Sequence, residues 1–355
     1  MTSKAFANAT DANRQQGGSR NKIINGAMVH DQRNAGSAVS TNGAYPTDRW
    51  QLGISGGTWS VQQSSTAPAG FSKSTAITIS TGYSKSVSDQ NNFRQFIEGS
   101  NTYDLGWGAS GAQSVTLSFW VRSSLTGTFA GSLMNSAFDR SYVFTYSISA
   151  ADTWEYKTVA IEGDTSGTWL TTNGVGIRVF FDLGSGSNSE TTAGVWTAGE
   201  YRRVSGAVDV VATTGATFYL TGVQLEVGDT ATPFEHRSYG EELALCQRYF
   251  RTFGGGDPYE HLPFNGLGNG TVANFVYGLD PEMRAAPSLS TVGTWSVQAP
   301  FGGSVRTVGG WVLGNTSRKT VRGEAQSISG SISTETGRFF VVNSTAVRFN
   351  LDAEL

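Results

Sequence analysis

The sequence is poor in cysteine and in charge. Cys246 is the one cysteine among 355 residues, which excludes an internal disulfide framework and a cysteine-rich zinc site. Charged residues make up 15% of the chain, against about 25% in a typical globular protein. The net charge is −3, and no cluster of Lys and Arg marks a surface for DNA or RNA. We therefore expect no nucleic-acid partner.

Long apolar runs are also missing. No stretch reaches the roughly 18 apolar residues that a membrane-spanning helix needs, so we expect no membrane insertion. The first twenty residues are polar and lack the apolar segment of a signal peptide. We expect the chain to be made and folded in the cytosol.

Glycine and aromatic residues are abundant instead. The chain has 45 glycines and nine tryptophans, whereas a disordered chain would have few aromatics and more charge. Glycine, serine, threonine and aromatic residues together are typical of short strands joined by tight turns. This composition predicts an all-β protein.

Alternating apolar and polar residues mark the strands of a first domain, which we place at residues 22–237. The clearest candidates are Ser114–Arg122, Tyr142–Tyr146, Trp154–Ile161, Gly176–Leu183 and Thr217–Val227. In the last of these the apolar residues change parity at Gly222, which predicts a β-bulge there. Many short strands separated by turn residues indicate a jelly roll or β-sandwich.

One helix follows this domain, at about residues 239–251 within a linking segment, 238–253. Ser238 and Glu241 have the spacing of a capping box. The helix has apolar residues on two adjacent faces, so we expect it to pack against its own domain and against another copy of the chain. The residues predicted to make that contact are Leu243, Cys246, Tyr249 and Phe250.

Residues 254–355 predict a smaller C-terminal β domain. Its strand candidates are Val272–Val276, Gly310–Leu313, Phe339–Val342 and Val347–Leu351. About a hundred residues that are rich in glycine and serine offer only a thin core. We therefore expect this domain to need an oligomeric partner.

Residues 1–21 are polar and precede the first strand pattern. One interpretation is a disordered tail. The other is an arm that becomes ordered when it docks on a larger assembly.

Motifs for catalysis and metal binding are absent. The three histidines have no metal-ligand spacing, and no G-x-S-x-G nucleophile elbow occurs. Cys246 lies on an apolar helix face, where a free cysteine acts as a small hydrophobic residue. We interpret His236 as part of a strand-to-helix corner. We predict no enzyme and no cofactor; a structural Ca²⁺ is not predicted, because the sequence identifies no ligands for it.

Two pairs of carboxylates keep one enzymatic alternative open. Asp152 lies near Glu155, and Asp257 lies near Glu260. Paired carboxylates hydrolyse glycosidic bonds when they face each other across a sugar. The sequence does not show that either pair does so.

Sugar binding requires flat apolar rings beside hydrogen-bonding groups. Four glycine-rich stretches place an aromatic ring beside polar groups, and they are Tyr45–Trp50, Tyr103–Trp107, Trp169 with Asn173, and Asp257–His261. We interpret residues 254–270 as a long loop and the best candidate for a binding surface. It supplies the other predicted ligand-binding residues, which are Tyr259, His261, Phe264 and Asn265. Contact between copies of the chain explains that stretch equally well. We predict that Trp50 and Trp107 lie in the core or anchor loops.

Several segments together resemble a family of bacteriophage tail-fibre and related virion proteins that contain a jelly roll like that of carbohydrate-binding modules. The resemblance spans roughly residues 22–290. The segments that carry it are Ile97-Glu98-Gly99, Leu105-Gly106-Trp107, Val115–Val121, Trp154–Thr158, Leu220–Gly228, Thr232–Arg237, Cys246–Phe250 and Glu282–Pro287. The stretch that ends in Gln247-Arg248-Tyr249-Phe250 is the most specific.

This resemblance implies a virion location, a homotrimer and adhesion to bacterial surface glycans. Our leading hypothesis is a homotrimeric virion fibre or spike, made in the host cytoplasm, that attaches to other virion proteins through residues 1–21. It implies no shared catalytic residues and carries no ligand-contact positions over to this chain. Two alternatives remain. One is a capsid-attached fibre, decoration protein or tail adaptor without receptor binding, and the other is a glycan-cleaving depolymerase.

Overall fold

A computed structural model describes residues 19–255, 261–269, 271–298, 305–314, 316–329, 337–342 and 347–355. For residues 261–269, 298, 305 and 337–342 it describes the backbone. The chain divides into two compact units, with the division between Tyr239 and Gly240.

The first unit contains eleven strands between Trp50 and Val227. They are β1 Trp50–Gly53, β2 Thr58–Ser64, β3 Ser74–Thr81, β4 Asn92–Glu98, β5 Val115–Ser123, β6 Gly127–Met134, β7 Arg140–Ile148, β8 Glu155–Ile161, β9 Val175–Asp182, β10 Trp196–Ala198 and β11 Thr217–Val227. Short 3₁₀ helices lie at Gly99–Asn101, Tyr103–Leu105, Ser187–Ser189 and Val210–Ala212. All five strands that alternation predicted here are present, with ends shifted by a few residues at most.

These strands form two antiparallel sheets, in the arrangement of a β-sandwich of the jelly-roll type. One sheet has the order β1-β4-β9-β6-β7-β10, and the other has the order β2-β3-β11-β5-β8. The inner faces of both sheets contribute to a single apolar core. Long-range antiparallel pairing therefore defines this unit, as the composition predicted.

Aromatic rings join the two sheets at the centre of the core. The ring of Phe119 on β5 lies 5.0 Å from that of Phe181 on β9 and 5.0 Å from that of Tyr146 on β7, both nearly edge-on. Phe119 and Phe181 are fully buried. Edge-to-face aromatic pairs contribute about 0.5–1.5 kcal/mol beyond the burial of their area. Trp50 is also fully buried, which confirms its predicted place in the core.

The predicted β-bulge is confirmed at Gly222. The pairing between β11 and β5 shifts register between Thr221 and Gln224, and Gly222 has φ = +61°. An added Cβ would lie 2.7 Å from the ring of Phe71 and 3.1 Å from that of Trp120. Both the backbone conformation and the close approach therefore require glycine.

Residues 19–23 lie along the sandwich. The Asn21 side-chain oxygen accepts a hydrogen bond from the Leu225 amide at 3.0 Å, and the Arg237 guanidinium donates to the carbonyl oxygens of Asn21 and Ile23. Residues 19–21 of the predicted arm thus contact the sandwich domain. Residues 1–18 lie outside the described residues.

Helix α1, Tyr239–Gln247, starts at the last residue of the first unit, and its other residues belong to the second unit. Its strands are β12 Phe250–Gly254, β13 His261–Asn269, β14 Val272–Gly278, β15 Ser288–Val292, β16 Trp295–Gln298, β17 Val305–Val308, β18 Gly310–Leu313, β19 Thr320–Gln326, β20 Gly337–Val342 and β21 Arg348–Asp352. Among the described residues these strands form two sheets, β12-β21-β15 and β17-β16-β20-β13-β14-β19-β18. All four predicted C-terminal strands are present.

Helix α1 is shorter than predicted. It ends at Gln247, not near residue 251, because Phe250 already begins β12 and pairs with Asp352 of β21. Three of the four residues predicted to contact another copy are also buried within the chain, with Cys246 and Tyr249 at 0% exposure and Phe250 at 4%. Leu243 is half-buried. The contact of these four residues with another copy of the chain stays a prediction.

Replacing Gly222 by alanine tests the bulge. We expect Gly222→Ala to destabilise the first unit by about 1–3 kcal/mol more than Gly215→Ala, because overpacking adds to the left-handed strain. Gly215 is the matched control, since it has φ = +80° but nothing within 4 Å of an added Cβ. Chemical denaturation followed by tryptophan fluorescence measures the free energy of unfolding of both variants. Equal losses of stability would show that Phe71 and Trp120 do not restrict the bulge.

Candidate functional site

Three tryptophans from separate parts of the first unit form one cluster, which we call the tryptophan triad: Trp107, Trp169 and Trp196. The centre of the Trp169 ring lies 4.7 Å from that of Trp107 and 5.3 Å from that of Trp196. The Trp107 and Trp196 rings are 5.3 Å apart, and all three pairs are nearly perpendicular. Each indole N–H donates to a backbone carbonyl, of Gln113, Ser166 and Glu162 respectively. The rings are therefore fixed in position.

Beside the triad lies a shallow depression in the protein surface, of about 30 Å³. Its lining residues are Thr102, Tyr103, Leu105, Gly106, Trp107, Trp169, Leu170, Thr171 and Ile177. Tyr103 is 63% exposed, while Trp107 is 9% exposed and Trp169 is half-buried. The depression thus combines an exposed aromatic ring with threonine hydroxyl groups, which is the combination that sugar binding requires. We call it the Tyr103 depression.

Two loops meet at this depression through backbone hydrogen bonds. The Gly99 amide donates to the Gly174 carbonyl at 2.8 Å, and the Ser100 amide donates to the Thr172 carbonyl at 2.8 Å. A Cβ at Gly99 would lie 2.2 Å from the Leu170 carbonyl oxygen. Glycine at position 99 therefore permits the close approach that brings Tyr103 next to Trp169.

A buried ion pair holds the loop that carries Trp169. The Arg140 guanidinium on β7 donates two hydrogen bonds of 2.7 Å to the Asp164 carboxylate, and the Asp164 side chain is 2% exposed. This hydrogen bonding raises the pKa of Arg140 above its ordinary value. The Asp164 carbonyl also accepts the Gly108 amide at 2.7 Å. One residue thus links β7 to both loops of the site.

The structure brings only part of the predicted ligand-binding set together. Trp169 lines the Tyr103 depression. Asn173 is exposed on the same loop but is not among the lining residues. Trp107 is buried in the triad, which confirms its predicted role as an anchor.

The remaining predicted ligand-binding residues lie in the second unit. Tyr259 lies outside the described residues. His261, Phe264 and Asn265 belong to β13, which pairs with β14 and β20 inside the seven-stranded sheet, so the predicted loop is wrong over this stretch. The register of β13 against β20 shifts between His261 and Asn265, where Pro263 has no backbone N–H to donate. Their ligand contact stays a prediction.

The sequence pointed to Tyr103 but not to Trp196. Tyr103 lies in one of the four stretches predicted to present an aromatic ring beside polar groups, whereas its place beside Trp169 depends on how the loops meet. Trp196, the third member of the triad, follows a turn and begins β10. A tryptophan in a glycine-rich stretch was the available signal, but nothing in the spacing linked it to Trp107 or Trp169.

A second depression, of about 180 Å³, lies in the second unit. It is lined by residues of three segments, namely Leu289, Ser290, Thr291, Gly293, Trp295, Val308, Gly309, Gly310 and Trp311. The rings of Trp295 and Trp311 are 5.6 Å apart and nearly perpendicular. Trp169 and Asn173, the predicted ligand-binding residues whose side chains the structure describes, do not line it.

Asp152 and Glu155, one of the two carboxylate pairs considered for glycan hydrolysis, each form an ion pair. Asp152 lies 3.1 Å from the Arg122 guanidinium, and Glu155 lies 2.6 Å from the Lys157 ammonium. Burial raises the pKa of Glu155, but hydrogen bonds from Lys157 and from two backbone amides outweigh it, so the pKa is lowered overall. A general acid for glycan hydrolysis needs a raised pKa. Asp257 and Glu260 lie outside the described residues.

Candidate metal sites and membrane-spanning helices are both absent from the described part of the chain. No group of three or more His, Cys, Asp or Glu residues there is arranged to hold a metal ion. No helix in the same residues has the length and hydropathy needed to cross a membrane.

Comparison with known proteins gave structural neighbours. No family model matches the sequence, and no curated protein matches it. The enzymatically active domain of tailspike protein 4 from bacteriophage CBA120 matches at 13% identity and a TM-score of 0.31, over 59% of this chain but only 22% of the tailspike chain. A carbohydrate-binding module, TmCBM61 in complex with β-1,4-galactotriose, matches at 10% identity and a TM-score of 0.30. This match covers 59% of this chain and 100% of the module. A putative sugar-binding protein from Bacteroides thetaiotaomicron matches at 14% identity and a TM-score of 0.31. This match covers 59% of this chain and 100% of the Bacteroides chain.

Removing the Asp164 carboxylate tests the anchoring of the site. We expect Asp164→Ala to destabilise the first unit by about 3–5 kcal/mol, because it leaves the Arg140 charge unpaired in a largely buried position. Asp152→Ala is the matched control. It breaks an ion pair whose Asp152 side chain is 56% exposed, and such pairs contribute about 0–1 kcal/mol. Denaturant unfolding compares the two variants, and similar losses would contradict the anchoring role.

Proposed function

We propose that this chain is a non-catalytic virion protein of a bacteriophage, a fibre or spike, that binds glycans on the bacterial surface. The observation that carries the glycan part is the Tyr103 depression, where an exposed aromatic ring lies beside a fixed tryptophan and threonine hydroxyls. A sugar ring stacks its C–H face on such an aromatic surface, while its hydroxyls bond to neighbouring polar groups. Trp169 supplies the second apolar wall.

The rigidity of the depression favours binding. The triad, the Arg140–Asp164 ion pair and the backbone hydrogen bonds around Gly99 hold the loops in place before any ligand arrives. A preformed site loses less conformational entropy when its ligand binds. Weak binding at each site still yields firm attachment when several copies act together.

The virion part of the proposal rests on the family resemblance. The segments between Ile97 and Pro287 that carry it favour a homotrimer, attachment to other virion proteins through residues 1–21, and a location in the virion after synthesis in the host cytoplasm. Sedimentation equilibrium of the purified chain tests the trimer, with a mass three times that of the monomer expected. Antibody labelling of intact phage particles tests the location, and label confined to lysate protein outside particles would contradict it.

Removing the exposed ring tests glycan binding. We expect the wild-type chain to bind a subset of neutral bacterial glycans on an array. We expect Tyr103→Ala to weaken that binding by at least about tenfold, as loss of a central aromatic contact does. Trp169→Ala should act in the same direction. Titration calorimetry with the best array glycan gives the affinities.

Tyr156→Ala is the matched control, because Tyr156 is 43% exposed, belongs to β8 of the five-stranded sheet and does not line the Tyr103 depression. This variant should keep the wild-type affinity. If the wild-type protein binds no glycan, or if all three variants bind equally well, the proposed glycan site is wrong. A chain that binds only virion proteins would favour a purely structural role.

A further inference from the structure

A cluster of basic side chains lies on the outer face of the six-stranded sheet, opposite the core. We call Arg94, Arg178 and Arg202 the arginine cluster. Arg94 on β4 lies directly across from Phe180 on β9, and Phe96 on β4 lies directly across from Arg178 on β9. The guanidinium carbon of Arg202 lies 4.8 Å from the centre of the Phe180 ring. The three cations therefore share one patch of this face.

Aromatic rings separate the cations. The guanidinium carbons of Arg94 and Arg178 each lie 5.3 Å from the centre of the Phe96 ring. Arg178 also lies 3.8 Å from the centre of the Phe138 ring. Such contacts orient guanidinium groups but do not neutralise their charge.

Among the residues that the structure describes, one carboxylate faces the three positive charges. Arg202 donates a hydrogen bond to Glu200, while Arg94 donates to the Gln51 side-chain oxygen at 2.9 Å. Arg178 donates to two backbone carbonyls at 2.6 Å. Burial lowers the pKa of both Arg94 and Arg178, and repulsion within the cluster lowers it further, for Arg178 to about 10. Within the described part of the chain, two of the three positive charges thus lack an opposite charge.

Buried polar atoms in the same patch lack partners within the described residues. Arg202 is 1% exposed, yet its Nε and Nη1 donors have no hydrogen-bond partner, and neither has Nε of Arg178. Ser132 on β6 lies directly across from Phe180 on β9. Its hydroxyl is also buried and has no hydrogen-bond partner among the described residues. Unpaired buried donors are unfavourable until an acceptor reaches them. The patch is therefore equipped for a ligand with several acceptor oxygens.

Access to the patch comes from solvent. Arg94, Arg178, Phe96 and Phe138 are half-buried, whereas Arg202 is 1% exposed. A ligand that approaches from solvent would therefore meet Arg94 and Arg178 before Arg202. A planar carboxylate matches the planar fork of a guanidinium group in two parallel hydrogen bonds.

We infer that the arginine cluster binds the carboxylate of an acidic sugar, such as a uronic acid unit of a bacterial polysaccharide. That the carboxylate belongs to a sugar rests on the proposed function, while the preference for a carboxylate rests on the arginines alone. The site is distinct from the Tyr103 depression. It would make the protein select acidic glycans over neutral ones.

The test compares trigalacturonate with its fully methyl-esterified form, which keeps the sugar rings and lacks the charges. Calorimetry with the full chain should show at least about tenfold tighter binding of the acid, a difference typical of one good charge-assisted pair. Arg94→Gln should reduce this preference below about threefold, and Arg94→Lys should retain part of it, because an ammonium group pairs with one oxygen at a time. Arg94 is half-buried, which limits the risk of misfolding.

Arg122→Gln is the matched control. It removes the same charge from β5 of the other sheet, where Arg122 pairs with Asp152, and it should keep the wild-type preference. Equal binding of acid and ester, no binding of either, or a preference that Arg94→Gln leaves unchanged would overturn the inference. Tyr103→Ala separates the two proposals, because it should weaken neutral glycan binding and leave the preference for the acid intact.

Discussion

Burial of two sheet faces against each other is the interaction on which the first unit depends. Phe119 and Phe181 meet from opposite sheets, and the buried residues around them form one apolar core. Each fully buried side chain of this size contributes roughly 1.5–3 kcal/mol. Because both inner faces are used in this way, recognition is left to the outer faces and to the loops.

The loops at the Tyr103 depression show how such a scaffold positions a site. Gly99 permits a backbone approach that a side chain would block, and Asp164 connects β7 to two loops at once. The triad then fixes the Trp169 ring, whose N–H is already satisfied by a carbonyl. What remains free for a ligand is mainly the exposed face of Tyr103. The site is therefore rigid and small, which suits weak binding that is multiplied by several copies.

Local pattern predicted the strands well, because alternation depends only on neighbouring residues. The bulge at Gly222 followed from a change of parity within one strand, and the strand Thr217–Val227 has the bounds that the pattern indicated. The end of helix α1 was missed because the pairing of Phe250 with Asp352 joins positions a hundred residues apart. The stretch around Phe264 was interpreted as a loop because its glycines hid the pairing of β13 with two other strands.

The sites were harder to predict for the same reason. Trp107, Trp169 and Trp196 meet only after the strands have paired, and so do Arg94, Arg178 and Arg202. No spacing in the sequence links the members of either group. The sequence indicated the kind of residue that binds sugars, at Trp169 and in the stretch Tyr103–Trp107, but only the fold shows that Tyr103 and Trp169 line the same depression.

The central claim is that a glycan ligand lies against Tyr103 on a rigid loop surface. A crystal structure of the full chain with an oligosaccharide from its bacterial host measures this most directly. The account predicts a sugar ring parallel to the Tyr103 ring and in contact with Trp169, with the surrounding loops unmoved. A sugar bound only elsewhere, or loops that rearrange around it, would contradict the account.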